Sequence, residues 1–187
     1  MWDRMLISEI DMPGCFEITP KRVEDVRGVF VKIFHEEAFA SHGLQIEFAE
    51  EYYSKSYQNV LRGLHFQTPP HDHIKMVYCV SGSILDAIVD LRVGSSTYGQ
   101  YRTFELSDAN AKVLVLAKGI AHGFYTLSRE AVVIYKVSTV YVPEYDKGIL
   151  WNSLEIPWPS CTPVLSDRDT GFPAFQDFPS PFECQEI

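Results

Sequence analysis

The chain contains a series of short apolar segments separated by turn signals, and it lacks any long stretch of helical periodicity. The candidate strands cover residues 28–35, 48–56, 60–66, 74–81, 83–91, 101–106, 112–116, 123–126 and 131–141. Ser81-Gly82 marks a tight turn between two of them. About ten short strands with regularly spaced turns favour a β-sandwich or a barrel. The sequence therefore predicts an all-β fold.

Two regions depart from this strand pattern. Residues 35–40 fit one or two helical turns, and the prolines from Pro143 onward break regular structure. Trp151 and Trp158 are too apolar to stay in solvent, so we expect this irregular C-terminal tail to pack back onto the barrel. Residues 1–187 are predicted to form a single domain, since a chain of this length buries a sizeable core. The best description is a jelly-roll barrel of the cupin type, a double-stranded β-helix with short helices and an irregular tail.

The formal net charge of −9 at pH 7 argues against binding to nucleic acids or anionic membranes, because both require a basic surface. We therefore expect no nucleic-acid partner and no membrane partner. A few cations gathered in a cleft can still bind an anionic small molecule, since they act on it at close range. Arg27, Arg62 and Lys75 are the candidates for such a cluster.

The four cysteines contain no Cys-x-x-Cys pair and form no dense framework. Free thiols in a reducing compartment are therefore expected. The N-terminal segment carries acidic residues and no sustained apolar stretch, which is not the pattern of a signal peptide. No other segment approaches the length of a membrane span. We therefore expect a cytoplasmic protein.

Charged, basic and phenolic side chains interrupt several of the candidate strands. They are Arg62, His65, Lys75, His122 and Tyr135. Groups of this kind on several strands of one barrel favour a binding cavity in its interior.

One geometric condition applies to this cavity. In a regular strand, Arg62 and His65 point to opposite faces, because side chains alternate with a period of two residues. Both can reach one site only if the strand is irregular or the ligand wraps around its edge. Gly63 lies between them, and a strand glycine is a frequent place for a bulge. The sequence therefore predicts an irregular strand at Gly63.

His71-Asp72-His73 has the His-x-His spacing through which many cupins hold a metal ion. The glutamate that should follow within a few residues is absent, and Lys75 would place a cation against the metal. We therefore expect the two histidines to be solvated and no metal to be bound. A metal-dependent cupin, such as an oxygenase, is the alternative that differs most in chemistry.

Several motifs occur in a fixed order along the chain. They are Arg62-Gly63-Leu64-His65-Phe66-Gln67, Lys75, Val89-Asp90-Leu91-Arg92 with Gly94-Ser95, Ala121-His122-Gly123-Phe124, Tyr135-Lys136, Gly148-Ile149-Leu150-Trp151-Asn152 and Leu165-Ser166-Asp167-Arg168-Asp169. In this order they resemble the nucleotide-sugar 3,5-epimerases of the dTDP-4-dehydrorhamnose 3,5-epimerase type. The resemblance implies a homodimeric cupin jelly roll without a metal or organic cofactor. It also implies a substrate that is a nucleoside-diphosphate 4-keto-6-deoxyhexose, inverted at the carbons that flank the ketone.

Such an inversion removes a proton next to the ketone, stabilises the enolate and protonates the opposite face. The resemblance assigns proton removal to His65, whose ordinary pKa near ~6.5 suits a base at neutral pH. Asp169 is expected to orient this histidine, Lys75 to stabilise the enolate oxygen, and Tyr135 to donate the second proton.

The remaining assignments concern substrate binding. Arg62 and Arg27 match residues that hold the diphosphate, the latter by reaching across the dimer, and guanidinium groups suit such contacts. His122 matches a residue close to the substrate. Tyr141 is also expected to bind substrate, with a simple wall aromatic as the alternative.

The chain departs from the family at the nucleotide end. Lys32 replaces a glutamate, and Glu50-Glu51-Tyr52 replaces Gln-x-Asn. A carboxylate at Glu50 would suit a base with amino or imino donors, such as guanine or cytosine, whereas an ion pair between Lys32 and Glu50 would be purely structural. The nucleotide (dTDP, GDP or CDP) and the number of inverted carbons therefore stay open.

Two further alternatives are kept open. One is a non-catalytic nucleotide-sugar binding module, and another is a ketoisomerase of the same fold, which would move the carbonyl group instead of inverting carbons. Asp86 and Asp90 are expected to be structural, either by satisfying buried backbone groups or by pairing with Arg92.

Overall fold

The computed structural model describes residues 5–184, and strands make up most of its regular structure. The strands are β1 (Leu6–Glu9), β2 (Phe16–Thr19), β3 (Arg22–Asp25), β4 (Gly28–Val31), β5 (Glu50–Tyr57), β6 (Leu61–Gln67), β7 (Lys75–Ser81), β8 (Ser83–Asp90), β9 (Tyr101–Ser107), β10 (Val113–Leu116), β11 (Ile120–Thr126), β12 (Glu130–Val137) and β13 (Asp146–Gly148). The helices are α1 (Glu36–Ala40), α2 (Asp167–Thr170) and a 3-10 turn at Phe175–Asp177. The predicted all-β fold with short helices is confirmed.

The strands form two large antiparallel sheets and one separate hairpin. The six-stranded sheet has the order β1-β2-β10-β7-β12-β5, and the five-stranded sheet has the order β13-β6-β11-β8-β9. Within residues 5–184, strands β3 and β4 pair only with each other. The two large sheets share no strand pairing, so they face each other as a jelly roll and not as a closed barrel.

The main core lies between the two large sheets. Val77, Leu114 and Val133 contribute to it from the six-stranded sheet, and Ile88 and Phe124 contribute from the five-stranded sheet. Strand β12 alternates between buried and partly exposed residues, as the two-residue period of a strand requires. These packed walls hold the polar side chains described below in fixed positions.

The C-terminal tail packs against the outer face of the five-stranded sheet, as expected. Leu64 and Val89 of that sheet form a buried cluster with Ile149, Ile156 and Phe182 of the tail. The tail therefore covers a sheet face that would otherwise expose apolar side chains to water.

The differences from the predicted strands come from pairing between distant segments. The strand predicted for residues 131–141 ends at Val137, because Val137 pairs with Glu50 at the start of β5 and with Lys75 at the start of β7. No partner strand continues beyond that point. The short strands β1, β2, β3 and β13 were not predicted, because their pairing partners cannot be identified from so few residues.

Cys15, Cys79 and Cys161 are free thiols, as predicted. Burial raises the pKa of Cys15 and Cys79 to about 11, so these two thiols stay protonated at neutral pH. Among residues 5–184, no helix is both long and apolar enough to cross a membrane. The signal-peptide prediction depends partly on residues 1–4, which lie outside the described residues.

Candidate active site

A cavity of about 390 Å³ lies between the two large sheets. The predicted site residues that line it are Glu50, Arg62, His65, Lys75, His122, Tyr135 and Tyr141. They belong to strands β5, β6, β7, β11 and β12 and to the segment after β12. The cavity therefore brings together residues that are far apart in the sequence.

An irregularity in β6 allows Arg62 and His65 to line the same cavity. On the neighbouring strand β11, His122 pairs with His65 and Phe124 pairs with Arg62, so β6 carries one extra residue between these pairs. Gly63 lies within this bulge with φ of 140°, a backbone conformation that other residues rarely adopt. The predicted irregular strand at Gly63 is confirmed.

His65 forms a pair with a buried aspartate from helix α2. The Nε2 atom of His65 lies 2.8 Å from Oδ1 of Asp169. Burial raises the pKa of the Asp169 carboxyl, but hydrogen bonds from His65 and from the Gly63 N–H more than offset this effect and lower the pKa overall. A carboxylate only accepts hydrogen bonds, so Nε2 is the ring nitrogen that donates to Asp169, and Nδ1 is not engaged in this pair.

Lys75 is a buried cation without a protein partner among residues 5–184. Only 7% of its surface is exposed, and its ammonium group makes no hydrogen bond or ion pair with those residues. Burial lowers the pKa of Lys75 to about 8, and the charges of Asp86 and Asp146 limit this decrease. The ammonium hydrogens are therefore available to a ligand in the cavity.

Asp86 pairs with His122 and not with Arg92 or buried backbone, so the partners predicted for it are wrong, and its structural role stays a prediction. The Nε2 atom of His122 lies 2.7 Å from Oδ2 of Asp86, and both residues are buried. Burial lowers the pKa of His122 and raises that of Asp86, while their mutual attraction opposes both changes. Asp90, in contrast, accepts hydrogen bonds from Arg92 and is structural, as predicted.

Tyr135 presents a phenol to the cavity from the opposite sheet. Its hydroxyl lies 3.1 Å from Oγ of Ser54, and its ring stacks on that of Tyr52. Burial raises the pKa of Tyr135 well above its ordinary value, so the hydroxyl is protonated at neutral pH. His65 belongs to the five-stranded sheet and Tyr135 to the six-stranded sheet, so the two groups approach the cavity from opposite walls.

Two charged residues that the sequence did not single out also line the cavity. The Nη2 atom of Arg168 lies 2.7 Å from Oδ2 of Asp146. Arg168 directly precedes Asp169 in the motif Ser166-Asp167-Arg168-Asp169. Its position next to a predicted site residue was the sequence feature that could have identified it.

Of the two residues predicted to lie near the nucleotide base, the structure places Glu50 in the cavity and Lys32 outside it. One carboxylate oxygen of Glu50 accepts a hydrogen bond from the backbone N–H of Tyr141 at 2.7 Å. Lys32 lies outside the cavity, next to Phe34, and no ion pair joins it to Glu50 within residues 5–184. The structural ion pair considered from the sequence is therefore not formed.

Arg27 also lies outside the cavity of its own chain. It occupies the tip of the β3–β4 hairpin, where it pairs with Asp25 at 2.6 Å and keeps 86% of its side chain exposed. In a single copy of the chain, the predicted contact of Arg27 with the diphosphate is not made.

The His-x-His segment is held by neighbouring side chains. The ring of His71 lies against that of Tyr145, and Nδ1 of His73 is within hydrogen-bond distance of Gln67 and Thr139. His73 lines the cavity and is not solvated as predicted, and burial together with Lys75 lowers its pKa to about 3. Within the described part of the chain, no three potential metal-binding side chains converge.

Known proteins with similar sequences and folds share this architecture. Residues 9–177 match the profile of the dTDP-4-dehydrorhamnose 3,5-epimerase family. A dTDP-4-dehydrorhamnose 3,5-epimerase from Shigella flexneri is 38% identical over 92% of this chain and 97% of its own length. A dTDP-4-dehydrorhamnose 3-epimerase from Streptomyces niveus is 40% identical over 88% of this chain and 81% of its own length.

A solved structure extends the similarity to the three-dimensional fold. The dTDP-6-deoxy-D-glucose-3,5-epimerase from Legionella pneumophila, in complex with dTDP-4-keto-L-rhamnose, superposes with a TM-score of 0.92. It is 32% identical and covers 98% of this chain and 100% of its own. The fold and cavity are those of a carbohydrate epimerase of the cupin jelly-roll class. Within that class, the chain belongs to the dTDP-4-dehydrorhamnose 3,5-epimerase family.

Proposed function

We propose that this protein inverts C3, C5 or both carbons of a nucleoside-diphosphate 4-keto-6-deoxyhexose, using only its own side chains. The observation that carries the proposal is the placement of a histidine and a phenol on opposite walls of one cavity, with a buried lysine between the same sheets. An inversion at carbon requires groups on both faces of a planar intermediate, and this cavity provides them.

His65 is the base of the first step. Its Nδ1 lone pair takes the proton from the carbon next to the ketone, and the electron pair of the broken C–H bond forms the enolate. Asp169 holds the imidazole in this tautomer and stabilises the imidazolium that results. A positioned base of this kind contributes roughly 10²–10⁴-fold to a rate.

Lys75 stabilises the enolate oxygen. Because this ammonium group is buried and lacks a protein partner among residues 5–184, its hydrogens are available to a negative charge that develops on the ligand. Losing one preorganised donor of this type costs about 10²–10³-fold in rate. The adjacent pair of His122 and Asp86 supplies a further polar group for the sugar.

Tyr135 completes the inversion. Its hydroxyl gives a proton to the face of the enolate opposite His65, and the ketone forms again with the inverted configuration. The phenolate and the imidazolium then exchange protons with solvent, which restores both groups. The high pKa of Tyr135 ensures that its proton is present at neutral pH.

The diphosphate is bound by arginines in this proposal. Arg62 and Arg168 line the cavity, and Arg62 is oriented by a 2.9 Å hydrogen bond from its Nε to Oγ of Ser56. Arg27 reaches the site from the hairpin of a second copy of the chain, in a homodimer, and Lys32 follows the same hairpin. Glu50 and Tyr141 then lie near the nucleotide base, for which dTDP is the first candidate, because dTDP-linked sugars occur in the names of the relatives.

The proposal is tested by supplying dTDP-, GDP- and CDP-linked 4-keto-6-deoxyhexoses to the enzyme in D₂O and recording proton NMR spectra. We expect deuterium to enter C3, C5 or both with the dTDP-linked sugar. A product with a moved carbonyl group would instead indicate a ketoisomerase. No exchange with any of the three sugars, in a folded sample, would contradict the proposal.

A further inference from the structure

The proton donor Tyr135 carries a stacked partner, Tyr52, at a position where the family usually has asparagine. The two ring centroids are 4.9 Å apart, and the ring planes differ by only 19°. Tyr52 also lines the cavity. The proposed mechanism gives this second phenol no role.

The contact follows from the pairing of two strands. Tyr52 on β5 lies directly opposite Tyr135 on β12, and Val77 on β7 lies opposite Tyr135 on its other side. Directly opposed side chains on one face of a sheet are close enough to pack against each other. Tyr135 is therefore held between a buried valine and the ring of Tyr52.

Apart from the apolar packing of the main core, to which Tyr135 belongs, and the Tyr52 ring, two side chains of the described residues contact Tyr135. Its hydroxyl is within reach of one side chain, that of Ser54, and the His122 ring meets it edge-on with centroids 6.1 Å apart. Strand β5 is the edge strand of the six-stranded sheet, so a small residue at position 52 would leave one face of the Tyr135 ring open. A proton donor whose ring can tilt delivers its proton less often to the reacting carbon.

We propose that Tyr52 is a positioning residue, which holds the Tyr135 ring in the plane needed to protonate the enolate. The inference rests on the proposed function, since it assumes that Tyr135 donates this proton. Burial and the charges of Glu50 and Asp146 raise the pKa of Tyr52 to about 12, so its own hydroxyl stays protonated. Its contribution comes from the ring.

The test compares two processes that the same enzyme catalyses in D₂O. Exchange without inversion needs His65 and the enolate partner Lys75 but not Tyr135, because His65 can lose the abstracted proton to solvent and return a deuteron to the same face. Inversion also needs Tyr135. The ratio of inversion to exchange does not depend on the amount of folded enzyme, so a purely structural effect of a substitution would leave it unchanged.

The variants are Tyr52→Leu, which removes the stacked ring, and Tyr52→Phe, which keeps it. Tyr53→Leu is the matched control, because Tyr53 is the next residue of β5 and is 72% exposed. We expect Tyr52→Leu to lower the ratio by about three- to tenfold, the loss expected for one aromatic stacking contact. Tyr52→Phe should restore the ratio to within about twofold of the wild-type value, as should the control.

A wild-type ratio in Tyr52→Leu would overturn the inference, and so would an equal loss in Tyr52→Phe, which would assign the role to the hydroxyl. A wild-type enzyme that neither exchanges nor inverts the sugar would instead refute the proposed function. The two failures are therefore distinguishable.

Discussion

At the scale of single residues, the site depends on which atom holds each proton. The pair of His65 with Asp169 leaves one ring nitrogen free to accept a proton, and burial keeps the Tyr135 hydroxyl protonated. The proposed opposite-face transfer requires a base at His65 and a protonated hydroxyl at Tyr135.

Replacing His65 with alanine should abolish proton exchange and leave ligand binding largely intact. The proposed base would be lost, whereas the arginines proposed to hold the diphosphate would remain. We expect the exchange rate in D₂O to fall by at least about 10²-fold, and the Kd for dTDP measured by calorimetry to change little. The exposed His42 supplies the control substitution His42→Ala. Exchange at the wild-type rate in His65→Ala would assign the base to another residue.

We expect the buried charge of Lys75 to lower the stability of the folded protein, although the same residue supports catalysis in the proposed mechanism. Its pKa is about 8 in the folded protein and 10.5 in the unfolded chain, so between these values the unfolded state binds more protons. Stability from this group therefore rises with pH across that interval, and the full penalty is present below pH 8. We expect Lys75→Met to melt above the wild type at pH 7, by a margin that shrinks at pH 9.5, and to lose activity.

The control for this experiment is Lys118→Met. Lys118 is about half exposed and pairs with Asp72, so its removal should not stabilise the protein. A lower melting temperature for Lys75→Met than for the wild type at pH 7 would contradict the burial argument.

At the scale of elements, the bulge in β6 decides whether the site exists. An added Cβ at Gly63 would lie 2.5 Å from the Cα of Gly123, in a backbone conformation with positive φ. Gly63→Ala should therefore lower the free energy of unfolding by about 3 kcal/mol or more, as measured by urea denaturation. It should also remove activity, because Arg62 and His65 would no longer share the cavity.

A comparison with the variant Gly43→Ala separates the effect of backbone strain from the effect of steric overlap. Gly43 also has positive φ, but an added Cβ would meet nothing within 4 Å. This variant should lose only about 1 kcal/mol. Equal losses for the two glycines would mean that the close approach to Gly123 does not matter.

The sequence predicted the structural features that depend on one segment of the chain. The turn signal at Ser81-Gly82 and the interruptions at Arg62 and His65 located strands and cavity residues, and the glycine between Arg62 and His65 indicated the bulge. The pairing of Asp86 with His122 was missed, because it joins two neighbouring strands whose register no local pattern fixes. The stacking of Tyr52 on Tyr135 was missed for the same reason.

At the scale of the whole molecule, the β3–β4 hairpin stands apart from both sheets and exposes Val26, Val29 and Phe30. In the proposed homodimer, this hairpin carries Arg27 to the cavity of the partner subunit. Residue roles that depend on a second copy cannot be read from one chain, and in the proposed dimer Arg27 and Lys32 would lie outside the cavity of their own chain, as they do here.

Mixed dimers of His65→Ala and Arg27→Ala subunits test this arrangement. If Arg27 acts across the dimer, one of the two sites in a mixed dimer combines an intact His65 with an intact Arg27. Arg27→Ala alone should raise the KM roughly ten- to hundredfold, and the mixed dimer should recover about half of the wild-type activity at low substrate concentration. No recovery would place Arg27 in its own subunit's site, and an unimpaired Arg27→Ala enzyme would remove it from the substrate altogether.

The most direct measurement for the central claim is proton NMR of the dTDP-linked 4-keto-6-deoxyhexose with the enzyme in D₂O, for the wild type and for Tyr135→Phe. In the wild type, we expect deuterium at C3, C5 or both, and inverted configuration at the same carbons. In Tyr135→Phe, we expect exchange to continue and inversion to be lost. Inversion at the wild-type rate in Tyr135→Phe, or no exchange in either enzyme, would contradict protonation from opposite walls of the cavity.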